Sequence, residues 1–320
     1  MPFKDQFIIR RRLLGAGLGA AAWLAGGGRA LAQSRRQMSV VVPFTPGGAT
    51  DIFARMYAEA MGSASERVLV ENVPGANGAI GMARVASSPP DGRTLAYTYG
   101  NLALVAMHST RESSFNILRD LTPVIRTVVT QGVIVTGPNS RFRTLPEFIA
   151  AAQKEPGKYT YADYGEIAIN TLMLTAGIQL TRVPYKGGVP GMIDVMGGNV
   201  DIYAGSGAQV LPNILSGKLR ALAVSSETKI NDLPDVPLVR DFVPAFRALN
   251  YQGVFVSRNT PAAIVEEIYQ QSLAAINKPD FQRQTTSRHA TVSPMSPAEF
   301  KSFMETDSTT IAKVLAVTLK

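Results

Sequence analysis

The sequence predicts an α/β protein of two lobes, with the second lobe inserted into the first and a ligand cleft between them. Three observations lead there. Strand, glycine-rich loop and helix alternate twice in the stretch that follows Met38. The same order restarts near Val128, and a return strand at Gly253–Val256 with two long helical patterns closes the chain. Such alternation makes parallel sheets whose ligands sit beyond the C-terminal strand ends, and two chain crossings between lobes make a hinge. The expected lobes are 38–127 plus 250–320, and 128–249.

The chain has 320 residues, 46% hydrophobic and 18% charged, enough for two globular domains. Its first 32 residues read as a leader outside the fold. Arg10-Arg11-Arg12 precedes the apolar run Leu13–Leu24, and Ala30-Leu31-Ala32 supplies an A-x-A cleavage signal. The run is shorter than the roughly 20 residues that span a bilayer, so cleavage after Ala32 is expected rather than anchoring. Consecutive arginines ahead of Leu13-Leu14 resemble a twin-arginine export signal, although a general secretory signal is basic there too. The leader holds five basic residues and one acid, so its removal lowers the net charge from +8 to +4. What remains has no basic cluster interleaved with aromatics, and nucleic acid is not an expected partner. The absence of cysteine excludes disulfides, thiolate metal sites and a lipid-modified N-terminal cysteine.

The mature chain opens on its most informative stretch. Val40-Val41-Val42 is a short buried strand, Pro46-Gly47-Gly48 a tight turn, and Thr50–Met61 an amphipathic helix with Ile52, Phe53, Met56, Tyr57 and Ala60 on one face. Gly47 and Gly48 lack Cβ, so a ligand can approach the backbone and the free amides of the helix N-terminus, which suit an anion. An ordinary strand-to-helix connection has the same appearance. Asp51 complements the dipole of that helix or touches the ligand. Val68–Val70 is the second strand, leading to the glycine-rich loop 71–81. Thr94–Tyr99 is the third, and it makes Tyr99 and Asn101 strand-end cleft candidates. After the β-rich run Val128–Thr136 come a helix at Leu145–Gln153 capped by Thr144 and a strand at Tyr159–Ala162. The loop Asp163-Tyr164-Gly165-Glu166 opens another helix. Arg182–Pro184 and Tyr185-Lys186-Gly187-Gly188 repeat strand then glycine loop, and Gly197-Gly198 stops the helix Val189–Met196. Strands at Val200–Ala204 and Leu219–Val224 follow, then a proline-rich passage, the return strand, and helices at Pro261–Ile276 and Pro297–Val317.

Catalytic and metal chemistry find little support. Ser226-Glu227-Thr228-Lys229 fits S-x-x-K, but no Ser-Asp-Asn or Lys-Thr-Gly partner follows. His108 and His289 lie in no metal-ligand spacing and read as helix-end or surface residues. Gly205-Ser206-Gly207 lacks the spacing of a nucleophile elbow and reads as a cleft-lining loop. No cofactor, metal or catalytic residue is expected. Lys186 reads as a solvated lysine before an anion ligand.

Six passages stand in a recognisable order: Pro43–Asp51 (PFTPGGATD), Glu71–Gly78 (ENVPGANG), Pro90-Asp91-Gly92, Val183–Gly188 (VPYKGG), Asp194–Asp201 (DVMGGNVD) and Ser296–Phe300 (SPAEF). With these motifs the mature chain resembles the Bug family, the periplasmic substrate-binding components of tripartite tricarboxylate transporters. The resemblance implies a two-lobe periplasmic-binding-protein (Venus-flytrap) fold that captures a small organic acid for membrane transporter subunits, as a monomer. A periplasmic sensing subunit signalling to a membrane protein is the alternative. The resemblance also implies that a ligand carboxylate is held between the Pro-Gly-Gly loop and a facing loop of lobe two. Phe44, Pro46, Gly47, Gly48 and Asp51 then carry over, and Tyr185 and Ser206 join the site as lobe-two candidates. The facing loop departs from the family pattern of Gly and Ser followed by Ser-x-x-His-Leu: the stretch Asp163–Leu172, with candidates Tyr164, Gly165, Glu166 and Asn170, has neither the serine nor the histidine. A carboxylate at Glu166 facing the cleft would repel a dianion by about 4 kcal/mol for charges about 4 Å apart at an effective dielectric of about 20. The expected ligand therefore has one carboxylate and a neutral or cationic far end, packed on Tyr164. Glu166 accepts a hydrogen bond from that end or complements the dipole of its own helix.

Overall fold

A computed structural model describes residues 36–62, 66–109 and 115–318. The leader, its cleavage site after Ala32 and the paired arginines lie outside the described residues. Apolar runs flanked by turn residues give the strands. In β1 (Arg36–Val42) the three valines Val40, Val41 and Val42 are fully buried, as a central strand covered on both faces requires. The chain continues through α1 (Ala49–Met61), β2 (Glu66–Asn72), α2 (Ala79–Ala86), β3 (Thr94–Tyr99) and α3 (Gly100–Ser109). Next come the short α4 (Ile117–Asp120), β4 (Leu121–Thr130) and β5 (Gly132–Thr136). The stretch α5 (Leu145–Lys154), β6 (Thr160–Asp163), α6 (Ile167–Ala176), β7 (Thr181–Pro184), α7 (Gly188–Gly197), β8 (Ile202–Ser206), α8 (Gly207–Leu215) and β9 (Arg220–Val224) follows. The chain closes with β10 (Asn250–Ser257), α9 (Ala262–Ile276), α10 (Pro279–Thr286), β11 (Ala290–Met295) and α11 (Pro297–Thr318).

The strands form two sheets. The first has the order β11-β4-β10-β3-β1-β2, with β1 parallel to β2 and β3, and β10 antiparallel to both β3 and β4. The second has the order β7-β6-β8-β5-β9, with β6 parallel to β7 and β8, and β5 antiparallel to β8 and β9. Each sheet carries one lobe. The run Val128–Thr136, expected as one element, is two strands in different sheets, because β4 stays in the first sheet to Thr130 and β5 enters the second at Gly132. Gln131 between them is tied on both sides. Its amide donates to His289 O at 3.0 Å, its carbonyl accepts from Gly207 N at 2.8 Å, and its side chain donates to Thr228 Oγ1 at 2.9 Å. The chain returns to the first sheet between Val224 and Asn250.

Local chemistry sets the helix starts that matter here. Thr144 Oγ1 caps α5 by accepting from Glu147 N at 3.3 Å. Glu166 caps α6, its Oε2 accepting from Ala168 N at 2.6 Å. α6 packs on α11 and α3 of the other lobe, and Ile167 at its start shares a buried cluster with Val41, Met82 and Phe300. The lobes are therefore pressed together beside the cleft.

Candidate ligand-binding site

β1, β3, β6, β7 and β8 each lead into a helix, through six residues after β1, through three after β6 and β7 and directly at β3 and β8, and these helices start at the facing edges of the two lobes. The loop after β1 is built by one carboxylate. Asp51 Oδ2 accepts from Gly47 N and from Arg55 Nε, each at 3.0 Å, and Oδ1 accepts from Asn72 Nδ2 at 3.0 Å. Asn72 Nδ2 also donates to Phe44 O at 3.1 Å. Burial pushes the Asp51 carboxyl up, but the bonds from Arg55, Gly47 and Asn72 and the Arg55 charge outweigh it and hold it below its ordinary value. Gly47 turns through a φ of 78°, a left-handed conformation that glycine adopts without a Cβ clash. The first bond inside α1 runs from Ile52 N to Gly48 O at 3.0 Å, which leaves the amides of Ala49, Thr50 and Asp51 without intrahelical acceptors.

Unpaired polar atoms gather beneath this loop. Among the described residues, nine buried side-chain N and O atoms lack a hydrogen-bond partner within the protein, and seven of them belong to six residues at these facing edges. Thr45 Oγ1, Asn101 Oδ1 and both amide atoms of Gln252 come from lobe one; Glu166 Oε1, Ser206 Oγ and Gln209 Nε2 come from lobe two. Buried polar groups are seldom left so, which marks the place as one where another molecule supplies the partners. The lobes meet there at close range, since a Cβ on Gly187 would lie 2.6 Å from Thr45 Oγ1, and within lobe two one on Gly188 would lie 2.4 Å from Tyr203 OH. Tyr99 OH pairs with Thr130 Oγ1 at 3.2 Å and is flanked by Ser206 and Gln252. Tyr164 and Tyr203 stack with ring centres 5.4 Å apart and form an aromatic wall.

Glu166 is the one ionisable side chain among the six. Burial pushes its carboxyl up to about 7, against the opposing pull of the Ala168 N–H and of the neighbouring Asn250 amide, and the Asp163 charge adds to the rise. No arginine or lysine joins the group. Arg55 is exposed and paired with Asp51, and Lys186 is exposed. Any anion here would be held by backbone amides and neutral side chains.

Residues 53–316 match the family of the tripartite tricarboxylate transporter family receptor, TctC. A UPF0065 protein from the tcbD-tcbE intergenic region of Pseudomonas sp. (strain P51) is 33% identical over 85% of this chain and 83% of its own length. Protein BugT of Bordetella pertussis is 32% identical over 72% of this chain and 73% of its own. The chain belongs to this receptor family. The solved periplasmic binding protein BugD is 26% identical, covers 88% of this chain with 97% of its own, and superposes with a TM-score of 0.81. Family members are periplasmic binding proteins of two-lobe fold.

The remaining candidates divide by where their polar atoms go. Gly48, Tyr99, Asn101, Glu166 and Ser206 stand at the facing edges. Pro46 and Gly47 are exposed at the tip of the loop, and Phe44 contributes its carbonyl while its ring packs near Gly78. Gly165 follows Asp163, whose Oδ1 accepts from its amide at 2.9 Å. Asp51 spends its carboxylate on the loop itself. Asn170 donates to Glu166 O at 3.3 Å and accepts from Tyr161 OH at 3.3 Å, inside lobe two. Tyr185 gives its hydroxyl proton to Asp194 of α7. Tyr164 donates to Ala204 O at 3.0 Å, so it offers the cleft a ring face rather than a hydroxyl. His289, expected at the surface, is partly buried: it packs over Gly207, and its Nε2 lies 3.3 Å from Asp232 Oδ2. Thr45, Gln209, Asn250 and Gln252 were not among the residues expected from sequence.

Proposed function

We propose that the protein is a periplasmic solute receptor that captures a small organic acid between its lobes and presents it to the membrane subunits of a tripartite tricarboxylate-type transporter. One observation carries this reading: unpaired polar atoms from both lobes converge beneath the free amides of α1. Those amides, with the positive end of the helix dipole, accept a carboxylate, and closure of the lobes then pairs the remaining groups. The protein works as a binder rather than a catalyst. Ser226 Oγ bonds to Thr228 O at 3.0 Å and Lys229 Nζ to Pro234 O at 3.1 Å, so the S-x-x-K residues face backbone rather than each other. Export follows from the leader, with the mature chain beginning at Gln33 and acting as a monomer. Asp51 positions the loop, the backbone at Gly48 lets the ligand approach, and the side chains of Thr45, Asn101, Glu166, Ser206 and Gln252 meet it.

A thermal-shift screen over mono-, di- and tricarboxylates, aromatic acids and amino acids tests the reading. A ligand at a hundred times its Kd stabilises the folded state by about 2.7 kcal/mol. Stabilisation by an organic acid and by no neutral sugar is the expected result. A flat screen across all carboxylates would overturn the reading. An intact leader on periplasmic protein, seen by mass spectrometry, would overturn the processing step alone.

A further inference from the structure

Glu166 divides its two oxygens between two tasks. Oε2 accepts from Ala168 N at 2.6 Å and so caps α6. Oε1 is buried on the cleft side without a partner in the protein. A second acceptor stands across from it on lobe one. Asn101 Nδ2 donates to Asn250 Oδ1 at 2.7 Å, which fixes the amide and leaves Asn101 Oδ1 buried and unpaired. Asn250 in turn lies beside Glu166. Once Glu166 is ionised, above about pH 7, this corner of the cleft thus offers two acceptor oxygens, one from each lobe, linked through Asn250.

We infer that the ligand carries, opposite the carboxylate held at the α1 loop, a hydrogen-bond-donating end, a primary amide or an ammonium, and that Glu166 selects it. The inference rests on the receptor reading above. A primary amide or ammonium has two or more N–H groups and satisfies Glu166 Oε1 and Asn101 Oδ1 together. At Glu166 Oε1 and Asn101 Oδ1 a second carboxylate brings acceptors to acceptors, and none of the six residues with unpaired atoms is an arginine or lysine that would offset its charge. An ester brings a neutral acceptor and leaves both oxygens unpaired, which a buried site does not tolerate without loss of affinity. Of the other ionisable groups near Glu166, Asp163 adds negative charge, which disfavours a second anion there. Asp163 on its own loop is ion-paired with Arg182, and Tyr99, Tyr164 and Tyr203 are held neutral by burial. The wall formed by Tyr164 and Tyr203 has both hydroxyls engaged, to Ala204 O and Gln209 Oε1, and so presents no competing donor.

The test is a matched series titrated calorimetrically into the wild type, Glu166→Gln and Glu166→Ser. The probes are succinate, monomethyl succinate, succinamate and β-alanine, together with glutarate, glutaramate and 4-aminobutyrate; any carboxylate found by thermal shift joins them. Serine keeps a capping oxygen for α6, so the second variant separates loss of the carboxylate from loss of the cap. At about pH 8.5, where Glu166 is ionised, the amide or ammonium probe should bind the wild type about tenfold or more tighter than the diacid and monoester of equal length, or about 1.4 kcal/mol. Both variants should lose about that factor for the donor probe, and Glu166→Gln should gain for the diacid. A larger loss for the ammonium than for the amide in Glu166→Gln identifies the end as cationic; equal losses identify it as neutral. The inference is overturned if the diacid binds the wild type tightest and the variants hold it no better. It is also overturned if the variants bind the best donor probe, or the best carboxylate found, as the wild type does. No binding of any carboxylate by any of the three proteins overturns the receptor reading and this inference together.

Discussion

At the scale of single residues, Glu166 sets the molecule's response to pH. Its carboxyl in the folded protein is pushed by burial from 4.5 up to about 7. Between those values the folded protein holds a proton that the unfolded chain has released. The group's contribution to stability is therefore full below about pH 4.5 and is lost as the pH rises through about 7. The shift corresponds to about 3 kcal/mol across the window. Glu166→Gln removes the titration, so its melting temperature relative to wild type should rise between about pH 5 and about pH 8. Calorimetry on the ligand-free proteins reads this directly, and a difference that stays flat with pH would mean that the carboxyl is solvated. The sequence places Glu166 at the start of a helix facing the first loop, and the structure shows the helix-start role at Oε2 while Oε1 has no partner in the protein. That division depends on a rotamer, which no spacing rule reports. Asn250 and Gln252 were missed for a different reason. Both are polar and precede the apolar run of β10, so the strand reads as starting at Gly253 and the two residues read as loop.

At the scale of elements, the two glycine loops are complementary parts of one closure. Gly48 has room for a side chain within its own lobe, since an added Cβ would meet only Thr45 O, at 3.5 Å. Gly48→Val should therefore leave the fold intact and crowd the amides of α1, with affinity falling by about tenfold or more while the melting temperature of the ligand-free protein is unchanged. Unchanged affinity would put the ligand elsewhere. Gly187 differs, because its extended backbone accepts any residue but a methyl would press on Thr45 of the other lobe. Gly187→Ala should hold the lobes apart and weaken every ligand by a similar factor, again about tenfold, with the donor preference retained. Titration of the same probes distinguishes this uniform loss from the selective loss at Glu166. Most elements were legible because apolar period and punctuation agree: Thr94–Tyr99 is the observed β3, and Thr144 caps α5 as its position suggests. The break at Gln131 was not legible, because β-branched residues flank Gln131-Gly132 closely on both sides and no proline or turn pair marks it. Pairing of β4 and β5 in different sheets, rather than local preference, interrupts that run. α10 and β11 escaped because one is short and polar and the other contains Pro294.

At the scale of the whole molecule, closure and protonation are linked. A charged Glu166 is costly between closed lobes and cheap between open ones, so the ligand-free protein should expand as the pH rises through about 7 and contract when ligand is added. Small-angle scattering over that range should show the expansion in wild type and not in Glu166→Gln; a radius that ignores both pH and ligand would argue against hinge motion. The inserted arrangement of the sheets bears also on how the chain folds. All strands of the second sheet come from one unbroken stretch, 132–224, whereas the first sheet needs Gln252 beside Tyr99, about 150 residues earlier. Contacts so distant form late, and contacts within a short stretch form early. Pulse-labelled amide exchange during refolding should thus find β5, β6 and β8 protected before β3 and β10. A nascent chain that has not yet produced residue 250 would carry a finished second lobe, while β3 and β4 lack the strand that joins them and present open edges to other chains.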